Sequence, residues 1–218
     1  MKSNIIENVD NKFKARFFPS IPNLDYSLIK ITTEGKYSIS DNESSAKLIE
    51  LIQKYFKSND LIITDGTGNN GSDTIALGLK FKTINSIELD DTNYEALKNN
   101  VGVYGLSNIN LYKGNSLDFF KNNTQDVIYI DAPWGGTNYK ENERMDLYLG
   151  DKNLGQIYNE NKSRTRLFIF KIPKNYDFTA FIQTTMVTKY YIYLYTKNDK
   201  PKFFFMFVPC KNQNKHSH

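Results

Sequence analysis

At 218 residues the chain is long enough to bury one sizeable core, and it is most simply one large domain with a short extension. Its net charge of +4 and pI near 8.9 permit a nucleic-acid partner without requiring one. Cys210 is the only cysteine, and the two histidines, His216 and His218, both lie in the carboxyl-terminal tail, which excludes disulfide frameworks, thiolate or imidazole metal sites, and Ser-His-Asp or Cys-His catalysis. Any chemistry must therefore come from carboxylates, amides, aromatics, backbone groups or a cofactor. No apolar run reaches membrane-spanning length and the amino terminus lacks a signal-type apolar core, so an intracellular protein is expected.

In chain order, residues 1–12 are polar and read as frayed. Phe13–Phe18 mixes bases with aromatics; it reads as a hydrophobic anchor, with an RNA-facing arm as the alternative. Ser40-Asp-Asn-Glu43 has the form of a capping box, and Leu48, Leu51, Ile52, Tyr55 and Phe56 follow at helical spacing, so residues 41–57 are expected to form an amphipathic helix. Leu61–Asp65 is a buried strand, and Gly66-Thr-Gly68-Asn-Asn-Gly71 turns it into a helix that runs to about Leu79. Thr83–Glu88 is the next strand, ending in Glu88-Leu-Asp90. An acid about 20 residues beyond a glycine-rich loop suits the two hydroxyls of a ribose, and Asp65 could take a ligand's amino group. A helix over 91–104, a strand over 109–112 and the polar Gly114-Asn115-Ser116 complete a pattern that reads as a nucleoside site. Each element alone is a common turn; the ordered set is what carries the reading.

The chain is organised around Asp126–Tyr139. Val127, Ile128 and Ile130 read as a strand buried on both faces, stopped by Asp131-Ala-Pro-Trp-Gly-Gly136. An acid, a Pro-Trp corner and an indole then stand at the carboxyl end of a central strand, where open α/β sheets place their ligands. That combination suits chemistry on the amino group of a flat base; the plainer reading is a turn with Trp134 in the core. Residues 140–164 are expected to be irregular, with a lid as one use for them. Arg166–Lys171 is a strand, residues 177–185 a helix, and Lys189–Tyr195 with Lys202–Val208 flank a turn at 197–201 as a β-hairpin whose aromatics are core.

This order resembles the class I S-adenosylmethionine-dependent methyltransferases. It is more closely similar to the trimethylguanosine synthase family, the RNA cap guanine-N2 methyltransferases, over roughly residues 26–208. The resemblance rests on Lys30–Ser40, Asp65–Ile75, Asp131-Ala-Pro-Trp-Gly-Gly-Thr-Asn-Tyr139 and Ile172-Pro-Lys-Asn175. It implies an α/β, Rossmann-like fold: a mostly parallel seven-stranded sheet with a C-terminal antiparallel hairpin and helices on both faces. The expected division is an extension over 1–57 completing the substrate site, a methyltransferase domain over 58–208 and a polar tail over 209–218.

The resemblance further implies S-adenosyl-L-methionine as cofactor, S-adenosyl-L-homocysteine as product, no metal, and a 7-methylguanosine-capped RNA as substrate. Asp65, Gly66, Gly68, Thr74, Glu88, Leu89, Asn115, Ser116 and Asp131 would form the cofactor site. Asp131, Pro133 and Trp134 would be the catalytic corner, while Lys30, Trp134, Tyr139, Lys174 and Asn175 would meet the substrate. For the lysines, the plainer reading is a solvated surface. Departures are Gly-Asn-Asn-Gly in place of a glycine-richer loop, Asn115 where an acid is usual, and Ala132 in place of a first proline. An N6-adenine methyltransferase and a catalytically degenerate cap-binding module are the alternatives. A monomer without membrane attachment is expected, in nucleus or cytoplasm, or in host cytoplasm or virion if viral. The excess of Asn, Lys, Ile and Tyr suggests an A/T-rich genome.

Overall fold

The computed structural model describes residues 4–6 and 9–210. Most of the expected polar tail, from residue 211 onward, therefore lies outside the described residues, as do residues 1–3, 7 and 8 of the expected frayed terminus. The chain packs as two compact units, Met1–Ser116 and Leu117–His218.

The first unit begins with a correction. Residues 4–12 are not wholly frayed: β1 (Ile5–Ile6) pairs antiparallel with β2 (Ile31–Thr32), and α1 (Asn11–Ala15) follows an Asp10 cap that accepts from the Lys12 amide. Phe18 is fully buried, as a hydrophobic anchor requires. After the short α2 (Gly35–Ser38) comes α3 (Asn42–Phe56), which buries Leu48, Ile49, Leu51 and Ile52. Its cap is Asp41 rather than Ser40: the Asp41 carboxylate accepts from the Ser44 amide, and Ser40 instead donates to Asp73. Then β3 (Ile62–Asp65), α4 (Ser72–Gly78), β4 (Thr83–Glu88), α5 (Asp91–Tyr104) and β5 (Ile109–Lys113) alternate, with β3, β4 and β5 all parallel. Ile63, Ile75, Leu77, Ile84 and Leu97 form the buried centre; each such side chain stabilises the fold by about 1.5–3 kcal/mol when fully removed from water.

The second unit takes in α6 (Ser116–Asn122) from Leu117 onward and continues with β6 (Gln125–Ile130), whose Val127–Ile130 run is buried, as expected for a strand covered on both faces. The segment expected to be irregular is so only in part, since residues 142–147 belong to no helix or strand while most of the remainder is regular. It holds the small hairpin β7 (Tyr148–Leu149) and β8 (Lys152–Asn153), then α7 (Leu154–Asn161). Asn153 and Gln156 make a reciprocal capping box, and Leu147, Leu154, Ile157 and Tyr158 enter the core. A helix this short is held by its cap and its apolar face, both easily hidden in polar sequence.

Next, β9 (Thr165–Pro173) runs parallel to β6, α8 (Phe178–Thr185) is capped by Asp177, and β10 (Tyr191–Lys197) and β11 (Lys200–Pro209) form the terminal hairpin. Asn198 and Asp199 both take left-handed conformations there, the geometry of a two-residue hairpin turn. The Phe205 and Phe207 side chains are buried, as is Cys210, whose amide donates to the Arg166 carbonyl. Burial pushes the Cys210 thiol up to about 12. The seven-stranded sheet runs β3-β4-β5 in the first unit and β10-β11-β9-β6 in the second, with β11 antiparallel to both β9 and β10. The mostly parallel sheet with its antiparallel carboxyl-terminal hairpin is thus as expected.

Candidate functional site

In the first unit, the carboxyl ends of β3 and β4 bring most of the expected nucleoside-site residues together. Asp65 closes β3 with its carboxylate only 1% exposed. One oxygen accepts from the Thr67 amide at 3.1 Å and the other from Thr74 Oγ1 at 2.6 Å, with Ser86 Oγ 2.7 Å beyond. Asp65 therefore staples the loop from inside. Gly68 and Gly71 let that loop lie against β4 and α5. A Cβ on Gly68 would stand 2.6 Å from Ser86 Oγ, and Gly71, at φ +93°, would press a Cβ to 2.9 Å from Leu97.

Glu88 ends β4 and reaches the same loop. Its Oε2 accepts from the Asn69 amide at 2.7 Å and its Oε1 from the Asp90 amide at 2.8 Å. Desolvation holds its carboxyl above the usual carboxylate range; the Glu34 charge adds to this, and the backbone N–H donors of Asp90 and Asn69 oppose it. Ser116 Oγ donates to the Gly66 carbonyl, tying the chain beyond β5 to the loop. Leu89 and Asn115 are exposed, and so is Lys30, whose backbone is held between Asn100 donor and acceptor groups.

Sequence reasoning missed the asparagines that frame this loop. Asn70 is fully buried; its Oδ1 accepts from the Thr32 amide at 2.8 Å, and its Nδ2 donates to Thr32 Oγ1 at 3.0 Å and Asn93 Oδ1 at 3.3 Å. Asn93 and Asn100 lie on the stripe of α5 that carries Leu97 and Tyr104, and both are buried.

In the second unit, Asp131 follows β6 directly, and Gly135 and Gly136, both at φ +82°, turn the chain after Trp134. Pro133 is exposed and Trp134 is half-buried against the core cluster. Trp134 thus stands neither free at the strand end nor wholly in the core: its indole Nε1 is buried without a hydrogen-bond partner, and the ring packs edge-on against Tyr139 at 5.1 Å and Phe203 at 6.1 Å. Asp131 Oδ2 lies 2.6 Å from Lys171 Nζ, an unforeseen ion pair formed because Lys171 lies near the end of β9, the strand beside β6. The same ammonium sits 5.0 Å from the Phe203 ring centroid and 6.0 Å from that of Trp134. Asn175 places both amide hydrogens on backbone, donating at 2.8 Å to the carbonyls of Tyr139 and Asn142. It thereby holds the turn that carries Tyr139, while Lys174 beside it is exposed. Burial raises the Tyr139 phenol.

Among the described residues no group of three or more His, Cys, Asp or Glu could hold a metal ion. Nor is any described helix long and apolar enough to cross a membrane.

Comparison with known proteins bears on what these arrangements serve. The uncharacterized protein L320 of Acanthamoeba polyphaga mimivirus is 28% identical over 197 residues, covering 78% of this chain and 77% of its own. The structure of protein PH1948 from Pyrococcus horikoshii is similar with a TM-score of 0.57 and 14% identity, covering 89% of this chain and 94% of that one. A methyltransferase from Geobacter sulfurreducens gives a TM-score of 0.55 at 12% identity, over 82% and 83% of the two chains. These structural likenesses establish a class I methyltransferase fold. The sequence model of the family described as RNA cap guanine-N2 methyltransferase matches residues 60–211, well over half of the chain. This chain belongs to the RNA cap guanine-N2 methyltransferase family.

Proposed function

We propose that this chain uses S-adenosylmethionine to methylate the exocyclic N2 of guanine in 7-methylguanosine-capped RNA, inside the cell. The observation that carries this reading is the Asp131-Ala-Pro-Trp134 corner at the end of β6, in a chain whose residues 60–211 match the cap-guanine family.

The residues at the ends of β3 and β4 fit such a cofactor. The Glu88 carboxylate accepts from the backbone N–H groups of Asn69 and Asp90, and with about four lone-pair sites on its two oxygens it can still accept ribose hydroxyls. Asp65 holds the loop in the shape that brings its backbone toward the ligand, and Ser116 fixes the adjoining turn. When bound, S-adenosylmethionine supplies an electrophilic methyl on its sulfonium and leaves as S-adenosylhomocysteine.

The acceptor base would lie on Trp134, whose face attracts the positive charge of 7-methylguanine. Asp131 and the Pro133 backbone would orient the N2 amino group, and Asp131 or water would take the proton that N2 releases. Lys30 and Lys174 would answer the cap triphosphate. Little further protein chemistry is needed: holding two reactants in line is worth up to about 7–11 kcal/mol of barrier.

The test is transfer of a labelled methyl group to m7GTP, GTP and an uncapped adenosine-containing RNA. Product from m7GTP alone is expected. Product from the adenosine RNA alone would replace this reading with an N6-adenine activity, and m7GTP binding without cofactor binding would replace it with a cap-binding module.

A further inference from the structure

The extension that precedes the sheet is bonded into the glycine-rich loop more tightly than any loop-surface contact requires. Four side chains and three backbone segments form one buried network. Thr32 Oγ1 accepts from the Gly35 amide at 2.9 Å and from Asn70 Nδ2 at 3.0 Å, and donates to Asn93 Oδ1 at 2.7 Å. Asn100 Nδ2 donates to the carbonyls of Lys30 and Asn70, each at 2.8 Å, while its Oδ1 accepts from the Lys30 amide at 2.8 Å. Asn93 Nδ2 donates to Glu34, and Asn69 Nδ2 donates to Ser38. Gly35 closes against this hub: a Cβ there would lie 2.1 Å from Asn70 Oδ1 and 2.6 Å from Asn70 Cγ.

The second asparagine of Gly-Asn-Asn-Gly is thus the point at which segment 30–38, the loop and α5 meet. The first has a separate duty, because the Asn69 amide is the group that occupies Glu88 Oε2. Asn69 adopts φ +46°, and its Oδ1 accepts from the Asn70 amide. Any shift of Asn70 therefore moves Asn69, and with it the carboxylate at the end of β4. Buried polar networks of this kind are stable when every member is satisfied and costly when one is removed.

We infer that segment 30–38 is a working wall of the cofactor site and that Asn70 is a positioning residue, so that docking of this segment and binding of the cofactor are one coupled equilibrium. The inference rests on the reading that the loop between β3 and α4 holds S-adenosylmethionine. It also accounts for the two asparagines as a substitution that bolts the extension to the loop rather than as decay of a glycine-rich turn.

Coupling of this kind is reciprocal. In the native chain, S-adenosylmethionine should slow hydrogen exchange at the Thr32 and Gly35 amides. In Asn70→Ala, Gly35→Ala and Thr32→Val, those amides should exchange faster, and calorimetric affinity for S-adenosylmethionine should fall by about 5- to 150-fold, the usual range for two linked sites. Thr32→Val keeps the shape and removes only the hydroxyl, so it remains informative if the clash at Gly35 prevents folding. Faster exchange with unchanged cofactor affinity would overturn the inference and reduce the network to a brace. A native chain that binds no S-adenosylmethionine would instead remove the cofactor reading itself, and this inference with it.

Discussion

Lys171 Nζ lies 2.6 Å from Asp131 Oδ2, with the two side chains 7% and 18% exposed, directly after the strand that ends in the Pro-Trp corner. A charge pair so far out of water is held by mutual dependence. Removing one partner takes the ion pair from a charge that stays largely buried, at a cost of about 3–5 kcal/mol. Lys171→Met should therefore lower stability by that order in a denaturant titration, and Lys171→Met/Asp131→Asn should recover part of the loss. A double variant no better than the single one would show that the two side chains are not coupled. Under the proposed mechanism the same pair fixes the Asp131 carboxylate beside the acceptor amine, so Lys171→Arg should retain more methyl transfer than Lys171→Met.

Trp134 carries the sharpest test of cap recognition. Trp134→Ala should nearly abolish m7GTP binding and Trp134→Phe should weaken it, since stacking on an aromatic is worth about 1–3 kcal/mol per base. Because the indole is half-buried against the core rather than free, Trp134→Ala should also cost about 1–3 kcal/mol of stability, short of the loss for a fully buried ring. The measurement is quenching of the chain's single tryptophan by m7GTP beside GTP. Equal, weak responses to both would remove the stacking role.

Glu88 gives a pH signature of known sign. Its carboxyl is raised chiefly by desolvation, so the fold favours the protonated form; that contribution to stability is complete below the unfolded-chain pKa and is lost as pH rises through the folded one. Acceptance of two ribose hydroxyls needs the carboxylate, so cofactor affinity should run the other way and fall as pH drops into the same window. Calorimetry at successively lower pH should show that acid-side loss, and Glu88→Gln should flatten it while weakening binding throughout. An equally steep profile in Glu88→Gln would assign the titration to another group.

Lys30 and Lys174 are both exposed, which suits a screened attraction to phosphate as well as it suits an ordinary surface. Replacing both by Ala should shrink the preference for m7GTP over 7-methylguanosine, most visibly at low salt. If the double variant discriminates as strongly as the parent, these lysines have no part in triphosphate binding.

What sequence made legible, and what it did not, divides along physical lines. The strands at 62–65, 83–88 and 125–130 and the carboxyl-terminal hairpin announce themselves, because apolar runs and their stopping residues are local signals. The same holds for the glycine turn after β3 and for Asp131 at the end of β6. Lys171 was hidden because a lysine that ends an apolar strand looks like one escaping into water, and only the neighbouring strand shows that it does not. Asn70, Asn93 and Asn100 were hidden for a related reason. A buried amide has the same letter as a solvated one, and its partners lie 23 to 70 positions away in the chain. Helix α7 was missed through its length: eight residues with polar neighbours give little periodicity, and the Asn153-Gln156 cap was the one available cue.

The burial of Cys210 has a practical consequence. A thiol raised to about 12 is almost entirely unionised near neutrality, and the thiolate is the form that alkylates or exchanges. The folded chain should thus be silent toward maleimide, so that a cysteine placed by design, for instance on exposed Lys36 in the extension, would be the sole site of labelling. With one intrinsic tryptophan as donor and one engineered dye as acceptor, the molecule is naturally disposed to distance measurements in solution, without first stripping its background.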